Sequence, residues 1–245
     1  MKGNERSKRF FGPFFRFCRG LWRVTHRRQP VYGLENIVSE PAVFIGRHQD
    51  MYGPVEIMAW VPLRLRVWAL SCFTDRRECY RHFSGYTYHV RKGYPLPIAR
   101  LIAAVISPFV TMLLHSMRAI PVHRGKREIM DTFRRSVQAL SDGENLLVMP
   151  ERDYTNEEAD AGEMYTGFVQ LARLYHRATG KGLHFYPIYP SRQDGALFVE
   201  QPVVFNPEND YRAERDRILA ELQSRLSRST VLRDFQQGAT DETSA

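Results

Sequence analysis

Three short charged clusters each follow an apolar run that reads as a buried strand. Arg47-His48-Gln49-Asp50 follows residues 42–46, Arg124-Gly125-Lys126 follows 119–123, and Glu151-Arg152-Asp153 follows 145–149 and a proline. Together they supply an imidazole, carboxylates and guanidinium groups. An imidazole titrates near neutral pH and can take a proton from a hydroxyl. A guanidinium stays charged and grips phosphate through paired hydrogen bonds. The combination suits proton abstraction beside a phosphate. Other chemistries lack their residues: there is no Gly-x-Ser-x-Gly elbow and no Gly-x-Gly-x-x-Gly after a strand. Gly180-Lys181 lacks the earlier glycine of a phosphate loop, and Cys79-x-x-His82 has no second pair, so no metal site is expected.

The elements that must position these clusters follow from apolar spacing. Strands are predicted at 42–46, 65–72, 119–123, 145–149, 183–188 and 198–204, and helices at 55–60, 127–141, 167–178 and 210–226. Residues 75–83 read as a polar helix or a loop. Asp142-Gly143 is the expected stop for the helix before it. The stretch 98–120 is long and apolar but interrupted by Pro108, so it reads as one kinked helix or two short ones, buried or dipping into lipid. Strands alternating with helices predict an α/β fold: one layered domain over residues 31–228, with a mostly parallel central sheet flanked by helices. In open sheets of that kind, residues at the carboxyl ends of strands converge on one crevice. Residues 229–245 read as a flexible tail.

Of the 245 residues, 43% are hydrophobic and 25% charged, which excludes wholesale disorder. The net charge of +8 is concentrated at one end: residues 1–28 carry nine Lys and Arg against Glu5 alone, and the remainder is neutral. A nucleic-acid-binding role is therefore not favoured, although basic residues alone suit any phosphate. Residues 1–30 form a basic arm. On a helical wheel of about 100° per residue, its Phe, Leu, Trp and Val residues from Phe10 to Val24 fall on one side and its arginines on the other. Such a helix suits a bilayer surface containing anionic lipid; the alternative is a surface helix packed onto the domain. Gly12-Pro13 marks its start. Three cysteines and no apolar leader point to a reducing compartment.

The clusters, taken in order, resemble the glycerolipid acyltransferases, which include the lysophosphatidate and glycerol-3-phosphate acyltransferases. His48 sits where that family has the first residue of His-x-x-x-x-Asp. The run 119–125, ending in Arg124-Gly125, is similar to the family's second block, and 146–151, ending in Pro150-Glu151, to its third; Tyr186-Pro187-Ile188 resembles the fourth. Two departures stand out. Gly53 occupies the motif's Asp position, and Arg152-Asp153-Tyr154 replaces the Gly-Thr-Arg of the third block. The resemblance implies transfer of a fatty acyl group from acyl-CoA or acyl carrier protein to a lysophospholipid or glycerol phosphate hydroxyl, with no metal or other cofactor. It implies His48 as general base, Arg124 and Gly125 at the phosphate, Glu151 orienting the acceptor or Arg124, and Arg152 standing in for the missing arginine. Asp50 is the preferred substitute for the absent carboxylate, with Glu56 as the alternative. A peripheral location on the cytoplasmic face of a membrane is expected. The competing expectation is a degenerate homologue that binds phospholipid without turnover.

Overall fold

The computed structural model describes residues 10–123, 125, 127–151 and 164–226. In chain order the helices are α1 (Pro13–Thr25), α2 (Tyr52–Trp60), α3 (Arg76–Arg81), α4 (Leu96–Ser116), α5 (Ile129–Ser141), α6 (Gln170–Thr179) and α7 (Tyr211–Leu226). The strands are β1 (Val31–Tyr32), β2 (Val43–Gly46), β3 (Leu65–Leu70), β4 (Ile120–Val122), β5 (Asn145–Val148), β6 (His184–Ser191), β7 (Ala196–Val199) and β8 (Val203–Val204). Two compact units emerge, one built on 1–21 and 66–135, the other on 22–65 and 136–245.

In the second unit β2 lies between β5 and β6, parallel to both, with Ile45 opposite Val148 and Pro187. All four residues of β2 and all four of β5 are buried, as strands covered on both faces must be. Asn145 fixes the start of this arrangement: its side chain accepts from the Ala42 N–H at 2.9 Å and donates to Glu40 at 2.9 Å. β7 and β8 pair antiparallel with β6, and β1 pairs parallel with β7. Helices α2 and α7 pack on β6. α7 begins where Asp210 accepts from the Arg212 and Ala213 N–H groups, and it buries Ile218 and Leu222 on one face. In the first unit β3 and β4 form a parallel pair, Trp68 opposite Ile120. The chain is thus α/β, with a mostly parallel sheet flanked by helices.

Local chemistry accounts for where expected elements changed. The predicted strand 198–204 is two strands, because Pro202 has no N–H to give a ladder. β6 runs on to Ser191, where a turn with Gly195 at φ 61° reverses the chain into antiparallel β7. α6 is preceded by a tighter turn over Thr166–Val169. Gly143, at φ 77°, ends α5 as expected: its N–H and that of Glu144 bond back to Leu140 and Ala139.

In the first unit α4 continues through Pro108 as one helix. One residue before the proline, the Ser107 hydroxyl donates back to the Ala103 carbonyl at 2.6 Å. Ala99, Ala103 and Ser107, spaced at four residues, form the buried face. α3 follows Asp75, whose carboxylate accepts from the Arg77 and Glu78 N–H groups, and it continues as a wide-turned helix over His82–Arg91. Both pack along α4. The start of α1 is tied to the end of α4: Gly12 N–H donates to the Ser116 carbonyl at 2.7 Å, and Phe15 N–H to the Ser116 hydroxyl at 2.8 Å. The aromatic side of α1 is divided. Phe11 and Phe15 are buried, whereas Phe17 and Leu21 are exposed.

Candidate active site

The second unit brings one of the sequence clusters against another. Because β2 and β5 run parallel with Ile45 beside Val148, the residues just beyond their carboxyl ends are neighbours too: Arg47 and His48 on one side, Glu151 on the other. Glu151 bridges both. Its Oε1 accepts from Arg47 Nε at 3.0 Å, and its Oε2 accepts from the His48 main-chain N–H at 2.6 Å. Arg47 is fully buried and Glu151 nearly so, at 8% exposure. A buried charge without its counter-charge is destabilising by several kcal/mol, so each of the pair demands the other. The outcome is a clamp on the backbone that carries the imidazole.

The chain then turns sharply. Gln49 and Asp50 both adopt positive φ, 45° and 57°, a region that costs a residue with a side chain about 1–3 kcal/mol and is held only when surroundings enforce it. The enforcing contacts are visible. Gly53 N–H donates to the His48 carbonyl at 3.0 Å, Tyr52 N–H to the Gln49 carbonyl at 3.3 Å, and Arg192 Nη2 to the same Gln49 carbonyl at 3.3 Å. The Arg192 guanidinium also lies over the Tyr52 ring, 4.6 Å from its centre. Gly53 is pressed against this turn: a Cβ there would sit 1.8 Å from the Arg47 carbonyl oxygen. The position where the related motif has Asp therefore admits no side chain.

His48 is half-buried, two residues before Asp50. Burial pushes the imidazole below its ordinary value; hydrogen bonding with the Asp50 main chain and the negative charges of Glu151 and Asp50 oppose the shift without overcoming it. Burial thus favours the neutral form of the ring. Asp50 contributes through its main chain and its charge, and its side chain is exposed. The carboxylate of Glu56, the alternative support, accepts from the Trp60 indole one turn along α2 at 2.7 Å.

Of the other expected site residues, one is described. Gly125 belongs to the first unit, where its carbonyl accepts from the Ile129 N–H at the start of α5. Arg124, Lys126, Arg152, Asp153 and the acidic run 157–163 lie outside the described residues, as does the tail 229–245. Arg47 and Arg192 were assigned no role from sequence. Arg47 carried a usable signal, an arginine joined directly to a wholly apolar strand, since a charge so placed needs a buried partner. Arg192 carried none. Among the described residues, no three His, Cys, Asp or Glu side chains gather in a way that could hold a metal ion.

No protein-family model matches the chain, and no curated protein matches it in sequence. Among solved structures it is similar to the 1-acyl-sn-glycerophosphate acyltransferase PlsC from Thermotoga maritima. The TM-score is 0.51 at 10% identity, over 87% of this chain and 76% of that one. The likeness is one of fold.

Proposed function

We propose that this protein is an acyltransferase that moves a fatty acyl group from acyl-CoA or acyl carrier protein to the hydroxyl of a lysophospholipid or glycerol phosphate. The observation that carries the reading is the placement of His48: an imidazole whose neutral form burial favours, at the carboxyl end of β2, its backbone clamped by the buried Arg47–Glu151 pair. The fold shared with PlsC supports the same reading. His48 accepts the proton of the acceptor hydroxyl as that oxygen attacks the thioester carbonyl. The C–O bond forms and the carbonyl becomes a tetrahedral oxyanion. Its collapse breaks the C–S bond, and the thiolate leaves, taking its proton from the imidazolium. A thioester is activated enough to need no metal.

Arg124 and Gly125 supply the phosphate end of the acceptor site in this proposal, with Arg152 in the place of the missing motif arginine. Glu151 acts in this chain by holding Arg47 and His48, so its part is support rather than direct contact with the acceptor. The protein works at the cytoplasmic face of a membrane, where its substrates reside, with the basic arm of residues 1–30 against anionic lipid. The test is purified protein with labelled acyl-CoA and lysophosphatidate, wild type beside His48→Ala. Product from wild type and none from the variant is expected; equal turnover by both would remove His48 as the base. A second reading, a lipid-binding homologue without turnover, is favoured by one observation, the closed position at Gly53. Silence of the wild type across acceptors and donors, with lipid binding retained, selects it.

A further inference from the structure

The first unit carries a feature that the acyl-transfer site does not use. On α4, Leu101, Val105, Phe109 and Met112 are exposed, Leu101 and Val105 each at 69%. At about 100° per residue these positions make one stripe, roughly opposite the buried Ala99, Ala103 and Ser107. The helix is 21 residues long and its most apolar 18-residue window has a mean hydropathy of 1.9, yet only 17% of that window is buried. The stripe continues onto α1, where the Phe14 ring meets Phe109 edge-on at 5.6 Å and Phe17 is exposed. An exposed apolar face of this extent marks a docking surface.

What covers it is indicated by its flank. Ala104, Ser107 and Pro108 of α4 form one wall of a groove of about 490 Å³, and Arg76, Arg77, Tyr80 and Arg81 of α3 form the other. Arg100 falls one turn before Ala104 on the same flank of the helix. None of Arg76, Arg77 and Arg81 makes an ion pair with a described carboxylate at 4 Å or less. Asp75 lies nearby, but its carboxylate is engaged in capping α3, and main-chain hydrogen bonds are the main cause holding it below its ordinary value. A cationic groove opening beside an exposed greasy stripe is complementary to one thing: a phosphate headgroup with its acyl chains beside it.

We propose that the groove between α3 and α4 binds the phosphate of an anionic phospholipid while the Leu101–Met112 stripe lies in the same leaflet. This deepens the membrane part of the proposed function by assigning the contact to a second element besides the basic arm and giving it a lipid preference. The full chain would be tested by co-sedimentation with vesicles of phosphatidylcholine alone and of phosphatidylcholine with phosphatidate. A triple variant, Arg76→Gln with Arg77→Gln and Arg81→Gln, is compared with a control neutralising Arg127, Arg177 and Arg212, which removes the same charge elsewhere. Each arginine at a lipid surface is worth about fivefold in binding, so the groove variant should lose roughly a hundredfold on phosphatidate vesicles and little on neutral ones. Val105→Asp should weaken binding to both. Inorganic phosphate added to the binding mixture should compete only weakly.

Equal losses in the groove variant and the control would overturn the proposal, as would full binding by Val105→Asp. Inorganic phosphate that displaces vesicles at low concentration would make the groove a free-phosphate site and overturn the lipid assignment. Should the triple variant fail to fold, Arg81→Gln alone is read, with a fivefold loss expected. Acyl transfer to a detergent-dispersed acceptor should be unchanged in the groove variant. If that activity is present while vesicle preference is not, this inference fails and the acyltransferase reading stands; if vesicle preference is present without activity, the reverse holds.

Discussion

Gly53→Asp restores the sequence motif that the related acyltransferases carry, and the structure predicts that it harms the protein. A Cβ at residue 53 lies 1.8 Å from the Arg47 carbonyl oxygen and 2.9 Å from the carbonyl oxygen of His48, where ordinary contact begins at 3.4 Å. The atoms in the way are backbone and cannot rotate aside. Relieving the overlap requires moving the Arg47–His48 peptide by more than an ångström. That breaks the 3.0 Å bond from Gly53 N–H to the His48 carbonyl and strains the clamp on Glu151. Overpacking costs about 1–3 kcal/mol and a lost hydrogen bond about 1 more. A total near 3 kcal/mol lowers the thermal midpoint of a chain this size by roughly 6–12 °C. Thermal denaturation followed by circular dichroism, with acyl transfer measured below the transition, tests this. Gly53→Ala should fall in the same direction, since the first carbon already collides. A Gly53→Asp protein with an unchanged midpoint and raised turnover would refute the reasoning and reopen the motif position to a carboxylate.

Further tests address the clamp, the base and the acid stability. Glu151→Gln removes the carboxylate charge that faces the buried Arg47 guanidinium, so a loss of about 3–5 kcal/mol in denaturant unfolding is expected, with kcat reduced more than KM changes. Replacing both members, Arg47→Met with Glu151→Leu, should recover much of that stability but not the activity, because the His48 N–H loses its acceptor. Burial lowers the His48 value, so the acid limb of kcat/KM should lie below the ordinary imidazole value of 6.5. Asp50→Asn should move that limb lower still and leave turnover substantial, whereas collapse of turnover would mean that the carboxylate itself supports the ring. The same shift makes the fold lose stability as pH falls from 6.5, where the unfolded chain takes a proton that the folded chain resists. Glu214 is held at about 2, first by Arg217 and then by the Asn206 N–H and the Asn209 side chain. Its contribution is complete above its ordinary value of 4.5 and declines as pH falls toward 2. Glu214→Gln should cost roughly 2 kcal/mol at neutral pH, read by urea unfolding.

Much of the fold was readable because its signals are local. The apolar runs at 42–46 and 145–149 read as buried strands and form β2 and β5, the Asp142-Gly143 stop ends α5, and Gly12-Pro13 sits at the start of α1. Of the site, the position of His48 at a strand end was equally plain. The role of Glu151 was not, since family likeness suggested the acceptor or Arg124, whereas its two oxygens are taken by Arg47 and the His48 backbone. Asp50 follows the imidazole in a turn where residues 49 and 50 take positive φ and the Asp50 side chain is exposed, a geometry that side-chain identity does not announce.

By itself the sequence determined the periodic elements, the charge confined to one arm, and the placement of reactive groups just beyond apolar strands. These depend on residues within a few positions of each other, where hydrophobic spacing and backbone preference act directly. Only the tertiary structure decided which carboxylate meets which cation and what fills the space at Gly53. Parallel strand register joins residues more than a hundred positions apart, and burial turns that adjacency into a required ion pair. Likewise, the apolar spacing of α4 was legible in the chain, but the share of it left facing outward depended on how little of the helix its neighbours cover.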